Sequence, residues 1–275
     1  MVRYCTVDSF ATHATNILLA GAMVLIALII ATILARFFVR ENNAERGVYK
    51  YALAFANSGY VGDPIVLALF GEAALAYYKI FCLPLSLVIY TWGISVLTPS
   101  NSVKGSVLKR LLNPPTVAML CGTVIGLFGA GDYMPAFLVS SLDSLKACMG
   151  PVAMLLAGIT IARYDFLGML KKKKVYLATI LRLIVLPTVL ISALYGIKSL
   201  AGAVLNFEIG NDVLFLAFFA TATPLGLNTV VFPEAYGGNP ETGASMAMIS
   251  HALCVLSIPL MYTIMVAVFG TPFSA

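Results

Sequence analysis

Charged residues are scarce in this sequence, since Asp, Glu, Lys and Arg together make up 11% of its 275 residues. A soluble globular domain usually carries about 25%. The sequence also has only two histidines, and its five cysteines are scattered with no paired spacing. These features argue against a disulfide scaffold and against a Cys/His metal site. We therefore expect no metal ion and no cofactor.

Motifs of several enzyme classes are missing as well. No glycine-rich P-loop occurs, so the chain is not expected to hydrolyse ATP itself. An intramembrane aspartyl protease would need two aspartates on facing spans, but Asp165 follows Arg163 in a basic loop, away from Asp63. We expect no enzymatic activity. Nor does the net charge of +5 indicate a nucleic-acid partner, because the basic residues lie in short loops between apolar stretches.

Apolar residues, in contrast, make up 60% of the chain, and its mean hydropathy is +0.95. Such a composition is typical of an all-α protein that crosses the lipid bilayer several times. The apolar stretches predict eight spans, at about 17–35, 48–71, 76–97, 113–130, 134–162, 175–197, 212–236 and 245–269.

Basic loops predict the orientation. The loops at 36–50, 99–112 and 163–174 hold most of the Lys and Arg residues, so we expect them on the cytoplasmic side of the cell membrane. The loop at 233–243 should share that side, although it is acidic. Among the cations within spans, Arg182 is interpreted as snorkelling to the cytoplasmic surface, and Lys79 as lying near the outer end of its span.

The first broken helix is predicted at about 48–71, where the sequence YALAFANSGYVGDPIVLALFG interrupts an apolar run with Asn, Ser, Gly, Asp and Pro. Each apolar piece has about ten residues and would be about 15 Å long, half of the roughly 30 Å that a span must cross. Unpaired backbone at this depth is tolerated only where protein or water surrounds it. We expect residues 57–64 to be non-helical.

A second broken helix is predicted at about 212–236, in the sequence LFLAFFATATPLGLNTVVFPEAYGG. Phe70-Gly71 follows Asn57 at the same spacing at which Tyr236-Gly237 follows Thr223. Two matched breaks, one in each half, are typical of an inverted-repeat transporter whose substrate site lies where the breaks meet. We expect residues 223–228 to cross the first break.

The two broken segments resemble those of the auxin efflux carrier family, as do NPPTVAMLCGTVIGL at 113–127, the segments within 134–158, and LRLIVLP at 181–187. The resemblance implies ten spans in two inverted sets of five. On that basis residues 113–275 form a complete repeat, and residues 1–112 form an incomplete one with three spans. Two further spans would precede residue 13.

The family resemblance also implies a function, which is the efflux of organic anions such as auxin or malate. We therefore expect a secondary transporter (a permease) whose partners are a small organic anion and the bilayer. Its oligomeric state, including a homo-oligomer, stays open. The alternative is a truncated or transport-inactive membrane module that acts as a sensor or a partner subunit.

Helix ends at the breaks predict the substrate site. A half-helix that begins after a break exposes unpaired N–H groups and the positive end of its dipole, which bind carboxylates. We expect these half-helices to begin near Gly59 and Leu225. The predicted substrate-binding residues are Asn57, Ser58, Gly59, Thr223, Pro224 and Asn228. Alternatively, the polar residues among them only cap the broken helices.

Asp63 and His251 are the titratable candidates for proton or cation coupling. An aspartate at a span centre costs about 2.5–3.5 kcal/mol on insertion, and the resembled family has an apolar residue at this position. Asp63 either carries a proton, pairs with a cation, disfavours a neighbouring anion or caps its half-helix. His251 is either a coupling residue or a satisfied core histidine.

Overall fold

The computed structural model describes residues 10–41, 44–98, 112, 114–163, 165, 168, 170–206 and 208–272. Within these ranges the chain is all-α and contains no β-strand. The α-helices are α1 (Phe10–Phe38), α2 (Ala44–Ala54), α3 (Asp63–Val88), α4 (Ile94–Leu97), α5 (Pro114–Leu127), α6 (Ala136–Ala162), α7 (Lys173–Ile180), α8 (Leu186–Leu205), α9 (Asn211–Ala222), α10 (Asn228–Tyr236) and α11 (Pro240–Phe269). Three π-helical turns, Ser58–Gly62, Ile89–Gly93 and Leu181–Val185, join α3 to the first break, α3 to α4, and α7 to α8.

Four helical stretches of the described chain are long and apolar enough to cross a membrane: Ala14–Phe38, Ser58–Leu97, Lys173–Val204 and Pro240–Phe269. Two shorter apolar helices occur at Thr116–Leu127 and Asn211–Ala222. The chain is thus a multi-pass membrane protein, as its composition predicts. The finer arrangement of eight spans in an inverted repeat stays a prediction.

Two glycines with left-handed backbone end the half-helices that follow the breaks. Gly71, with φ of 81°, kinks α3 after Phe70, and Gly237, with φ of 82°, follows the last residue of α10, Tyr236. Only glycine adopts this conformation without a steric penalty. The two positions are those that the equal spacing of the sequence singles out, so the spacing marks a real structural correspondence.

Helix α9 lies at the centre of the molecule. Every residue from Val213 to Ala222 is buried, which is the pattern of a helix surrounded by protein on all sides. Its phenylalanines Phe215, Phe218 and Phe219 pack with residues of α1, α3 and α8. A second apolar cluster, around the buried side chains Tyr49, Tyr51 and Leu53, covers α2. The two broken segments are thus embedded in protein.

Helices α5 and α6 differ from this core, since they keep large apolar side chains exposed. Examples are Val124 on α5 and Phe137, Leu145 and Leu155 on α6. An exposed apolar surface of this kind is suited to contact with lipid or with a protein partner. An ion pair of 2.6 Å between Lys146 Nζ and Glu72 Oε1 joins α6 to α3.

The positions of the breaks differ by a few residues from the prediction. The first break covers only residues 55–57, because the chain turns helical again at Ser58 and α3 begins at Asp63. The prediction of a non-helical 57–64 was therefore wrong beyond Asn57. Pro64 lies in the first turn of α3, directly after the π-helical turn Ser58–Gly62. The second break covers residues 223–227, and α10 begins at Asn228 instead of near Leu225.

Candidate substrate site at the helix crossover

The two breaks cross each other in direct contact. Ala56 and Leu225 form an antiparallel pair. On either side of it, Asn57 N donates to Pro224 O at 2.7 Å and Gly226 N donates to Phe55 O at 3.3 Å. The two hydrogen bonds are reciprocal, so the crossover is locally two-fold symmetric. Backbone groups that both helices leave unpaired satisfy one another here, as an apolar surrounding requires.

The two extended segments that cross, 55–57 and 223–227, are called the crossover strands below. Local sequence explains why the second of them is extended. Proline restricts the residue before it to extended conformations, and Thr223 before Pro224 has φ of −69° and ψ of 161°. Gly226 allows the strands to approach closely, since an added Cβ would lie 3.4 Å from Ala56 O and 3.5 Å from the ring of Tyr51. Pro224 therefore shapes the backbone of the site, and its carbonyl holds Asn57.

Asn57 connects three parts of the site. Its Oδ1 accepts from Tyr60 N at 3.3 Å and so caps the π-helical turn. Its Nδ2 lies 2.9 Å from His251 Nε2 on α11, and its own N–H binds the second strand. The side chain is almost fully buried. Asn57 is thus both a cap of the first half-helix and a contact between the first break and α11. Its role in substrate binding stays a prediction.

The hydrogen bonds of His251 specify its tautomer. Nδ1 lies 2.7 Å from Ala247 O, and a carbonyl can only accept, so Nδ1 carries a proton. The amide nitrogen of Asn57 can only donate, so Nε2 accepts from it and is unprotonated. His251 is therefore a neutral imidazole directly beside the crossover. Sequence reasoning identified His251 as a candidate but could not identify its partner.

Asn228 and Tyr51 are paired on the other side of the crossover. Asn228 opens α10, and its Nδ2 donates to the hydroxyl of the buried Tyr51 on α2 at 3.0 Å. The next residue, Thr229, donates from Oγ1 to Gly226 O at 3.0 Å and so closes the first turn. Each half-helix thus begins at an asparagine whose amide contacts the opposite half of the chain.

Some groups of the predicted site lack protein partners. The hydroxyl of the buried Thr223 has no hydrogen-bond partner among the described residues. Gly59 is exposed, and open space lies where a side chain would project from it. Ser58 is half-buried, and its carbonyl accepts from Tyr78 Oη at 3.1 Å. The Thr223 hydroxyl thus keeps hydrogen-bonding capacity, and Gly59 leaves open space.

A cavity of about 460 Å³ lies between the first half-helix and α11. Its walls begin one turn beyond the Asn57–His251 contact, at Val61 and Cys254, and continue to Tyr262. The floor is formed by Phe219 of α9, and the lining is almost wholly apolar. The polar crossover therefore adjoins a space that suits the apolar part of a ligand.

Asp63, the first residue of α3, forms an ion pair with Lys79 of the same helix. The side chain of Asp63 is 1% exposed, and that of Lys79 is 30% exposed. No side-chain capping bond occurs at this helix start, so pairing with a cation is the predicted alternative that the contacts match. The interpretation of Lys79 as a residue near the outer end of its span missed this contact, because the sequence does not show which helix faces Asp63.

Arg182 is the polar residue of the crossover that sequence reasoning missed. Its side chain is 2% exposed, so the interpretation that it snorkels to the cytoplasmic surface was wrong. The guanidinium instead donates to Leu53 O of α2 and to Thr221 O and Thr223 O at the end of α9. An arginine deep within an apolar stretch was the signal that could have identified it.

Gly62 and Gly59 offer a matched test of this geometry. A Cβ added at Gly62 would lie 2.1 Å from the hydroxyl of Tyr78. A Cβ added at Gly59 would have no atom within 4 Å. We expect Gly62→Ala to displace Tyr78 and to destabilise the protein by about 1–3 kcal/mol, the usual effect of overpacking. Gly59→Ala should unfold like the parent in thermal denaturation of the purified protein in detergent. Equal stability of both variants would contradict the packing of Tyr78 against Gly62.

Taken together, the structure brings Asn57, Ser58, Gly59, Thr223, Pro224, Asn228 and His251 to one crossover of two broken apolar helices. This architecture is that of a membrane transporter. A family model described as "Membrane transport protein", which covers the auxin efflux carriers, matches residues 100–262. The match covers more than half of the chain, and the chain belongs to this family.

Comparison with known proteins adds a transporter relative. An uncharacterized transporter, MJ1031 of Methanocaldococcus jannaschii, is 26% identical over 244 residues, which cover 84% of this chain and 72% of that protein. No solved structure matches the chain. Family and relative both indicate transport, a function that generally involves no enzymatic reaction.

Proposed function

We propose that this protein is a secondary transporter that moves organic anions, with the anion bound at the crossover. The observation that carries the proposal is that two half-helices, starting at Ser58 and Asn228, begin side by side at crossed breaks within an apolar core. Each helix start carries about half a positive charge from its dipole and unpaired N–H groups. Such an end favours a carboxylate without any basic side chain.

An inverted repeat is part of the proposal, with residues 1–112 as one unit and 113–275 as the other. Support comes from the reciprocal backbone bonds around Ala56 and Leu225. The left-handed glycines Gly71 and Gly237, which end the two half-helices, support it as well. We propose eight spans, in which α2 with Ser58–Phe70 and α9 with α10 are the broken ones.

The proposed orientation places the loops at 36–50, 99–112 and 163–174 in the cytoplasm, and the protein in the cell membrane. Lys174 Nζ donates to Phe38 O at 2.8 Å, and Lys172 Nζ pairs with Glu241 Oε1 at 2.6 Å. These contacts join three loops at one end of the molecule, including the acidic loop at 233–243. Glu234 of the acidic loop also pairs with Arg163, which supports one shared side for the acidic and the basic loop.

Transport of a defined anion tests the proposal. Purified protein in liposomes should move labelled malate or indole-3-acetate, the anions that the family implies, down their gradients with saturation. Neutral indole-3-acetamide should neither be moved nor compete, because it lacks the carboxylate. Asn228→Ala should weaken anion transport about tenfold or more, since hydrogen bonds to charged groups contribute about 1.5–3 kcal/mol.

Asn239 supplies the matched control for Asn228. Asn239 caps α11, its side chain accepting from Glu241 N at 3.0 Å, and it lies in the loop before that helix. Asn239→Ala should transport like the parent. Equal transport by Asn228→Ala and the parent would place the site elsewhere, and movement of neither anion by the parent would contradict the substrate class.

A further inference from the structure

The side chain of Arg182 donates hydrogen bonds to three backbone carbonyls at the crossover. Nη1 donates to Leu53 O at 3.1 Å, and Nη2 donates to Thr221 O at 2.5 Å and to Thr223 O at 3.3 Å. Leu53 lies in the last turn of α2, and Thr221 lies in the last turn of α9. One guanidinium therefore binds the carboxyl ends of both helices that precede the breaks.

These carbonyls are the groups that a helix leaves unpaired at its carboxyl end, where the dipole is negative. The forked guanidinium can reach acceptors on two elements at once, which the single ammonium of a lysine cannot do with the same geometry. The π-helical turn Leu181–Val185, which contains Arg182, interrupts the regular α7–α8 helix at this point. Such turns are frequent at functional sites.

The charge of Arg182 is not balanced by an acid. Among the described residues no carboxylate forms an ion pair with it, and Asp63 is paired with Lys79. Its other partners are neutral carbonyls, and its Nε has no hydrogen-bond partner in the described part of the chain. A fully buried cation without a counter-ion is costly in an apolar protein. The charge of Arg182 thus faces the negative ends of α2 and α9 instead of a carboxylate.

We propose that Arg182 is a positioning residue that clamps the two crossover strands together and supplies the fixed positive charge that selects anions. By neutralising the negative ends of α2 and α9, it leaves the positive ends of the half-helices that start at Ser58 and Asn228 as the dominant field. The clamp follows from the contacts alone. The selection of anions rests on the proposed function.

Hydrogen exchange tests the clamp without any ligand. In the purified full chain, Arg182→Met should speed amide exchange about tenfold or more in both strands, 55–57 and 223–227. Arg182→Lys should fall between this variant and the parent, because it keeps the charge but not the fork. Lys198→Met is the matched control: it removes a cation from α8, where Lys198 Nζ contacts Asn211 Oδ1 at 2.6 Å, away from the crossover. Parent-like exchange in Arg182→Met, or faster exchange in one strand only, would overturn the clamp.

Transport by variants of Arg182 that differ in charge tests the selection of anions. In liposomes, Arg182→Lys should retain more malate or indole-3-acetate transport than Arg182→Gln, which keeps donors but loses the charge. The expected difference is about tenfold, the scale of one charge-assisted hydrogen bond. If Arg182→Lys and Arg182→Gln transport equally, and both keep the amide protection of the parent, the charge of Arg182 does not select anions. If the parent moves neither anion, the proposed function fails, whereas the exchange result still decides the clamp.

Discussion

Asn57→Ala is expected to lower organic-anion transport about tenfold to a hundredfold, while most of the protein remains folded in the membrane. Asn57 caps the half-helix that begins at Ser58 and donates to His251 Nε2. The variant removes both contacts and the amide that faces the proposed site. A lost hydrogen bond to a charged group costs about 1.5–3 kcal/mol, which gives the expected range. Initial rates of malate or indole-3-acetate efflux from liposomes measure the effect.

Asn57→Ser separates capping from binding. Serine is among the best capping residues, but its hydroxyl is too short to reproduce the amide contact with His251. If Asn57 only caps the helix, Asn57→Ser should transport like the parent. We expect it to restore stability without restoring transport. Parent-like transport by Asn57→Ala itself would remove Asn57 from the site.

Lys79→Met is expected to cause the largest loss of stability, about 3 kcal/mol, because it leaves the buried carboxylate of Asp63 without its partner. Removal of the charge on Asp63 as well should recover most of this loss. The double variant Asp63→Asn, Lys79→Met should therefore be more stable than Lys79→Met alone. Chemical denaturation of the purified protein, followed by tryptophan fluorescence of Trp92, measures the difference.

Lys146→Met is the matched control for this experiment. Its partner Glu72 is 60% exposed, so we expect a change below about 1 kcal/mol, the usual value of an exposed pair. Equal losses in Lys146→Met and Lys79→Met would show that the burial of Asp63 has no energetic consequence. A double variant as unstable as Lys79→Met would likewise contradict a stranded charge as the cause.

The same aspartate is the predicted candidate for coupling protons to transport. If Asp63 exchanges Lys79 for a proton during the cycle, Asp63→Asn should flatten the dependence of transport on pH and leave anion affinity largely intact. Asparagine keeps the shape of the side chain without a titratable group. Efflux measured across a pH series for parent and variant gives the answer. Two curves of the same shape would assign Asp63 to structure alone.

Much of the crossover could be predicted because its causes are local. Proline, glycine and asparagine inside an apolar run interrupt a helix wherever that run folds. The equal spacing to Phe70-Gly71 and Tyr236-Gly237 therefore predicted where both half-helices end. The first half-helix begins within one residue of the expected Gly59. The prediction of a non-helical 57–64 was wrong beyond Asn57, because Gly59, Gly62 and Pro64 permit a helical first turn as readily as they permit a break.

Side-chain partners could not be predicted, because they depend on which helices face each other. Arg182 binds residues that lie 129 and 39 positions before and after it in the chain, and His251 meets Asn57 across 194 positions. Patterns of hydrophobicity carry no information about such pairings. The sequence by itself thus determined that the chain spans a membrane and that two of its helices are broken. Only the tertiary structure decided how the two breaks pair, that Asp63 is paired with Lys79, and that Arg182 is buried between the breaks. The reason is that an unpaired polar group in an apolar core must find its partner in whichever segment packs against it.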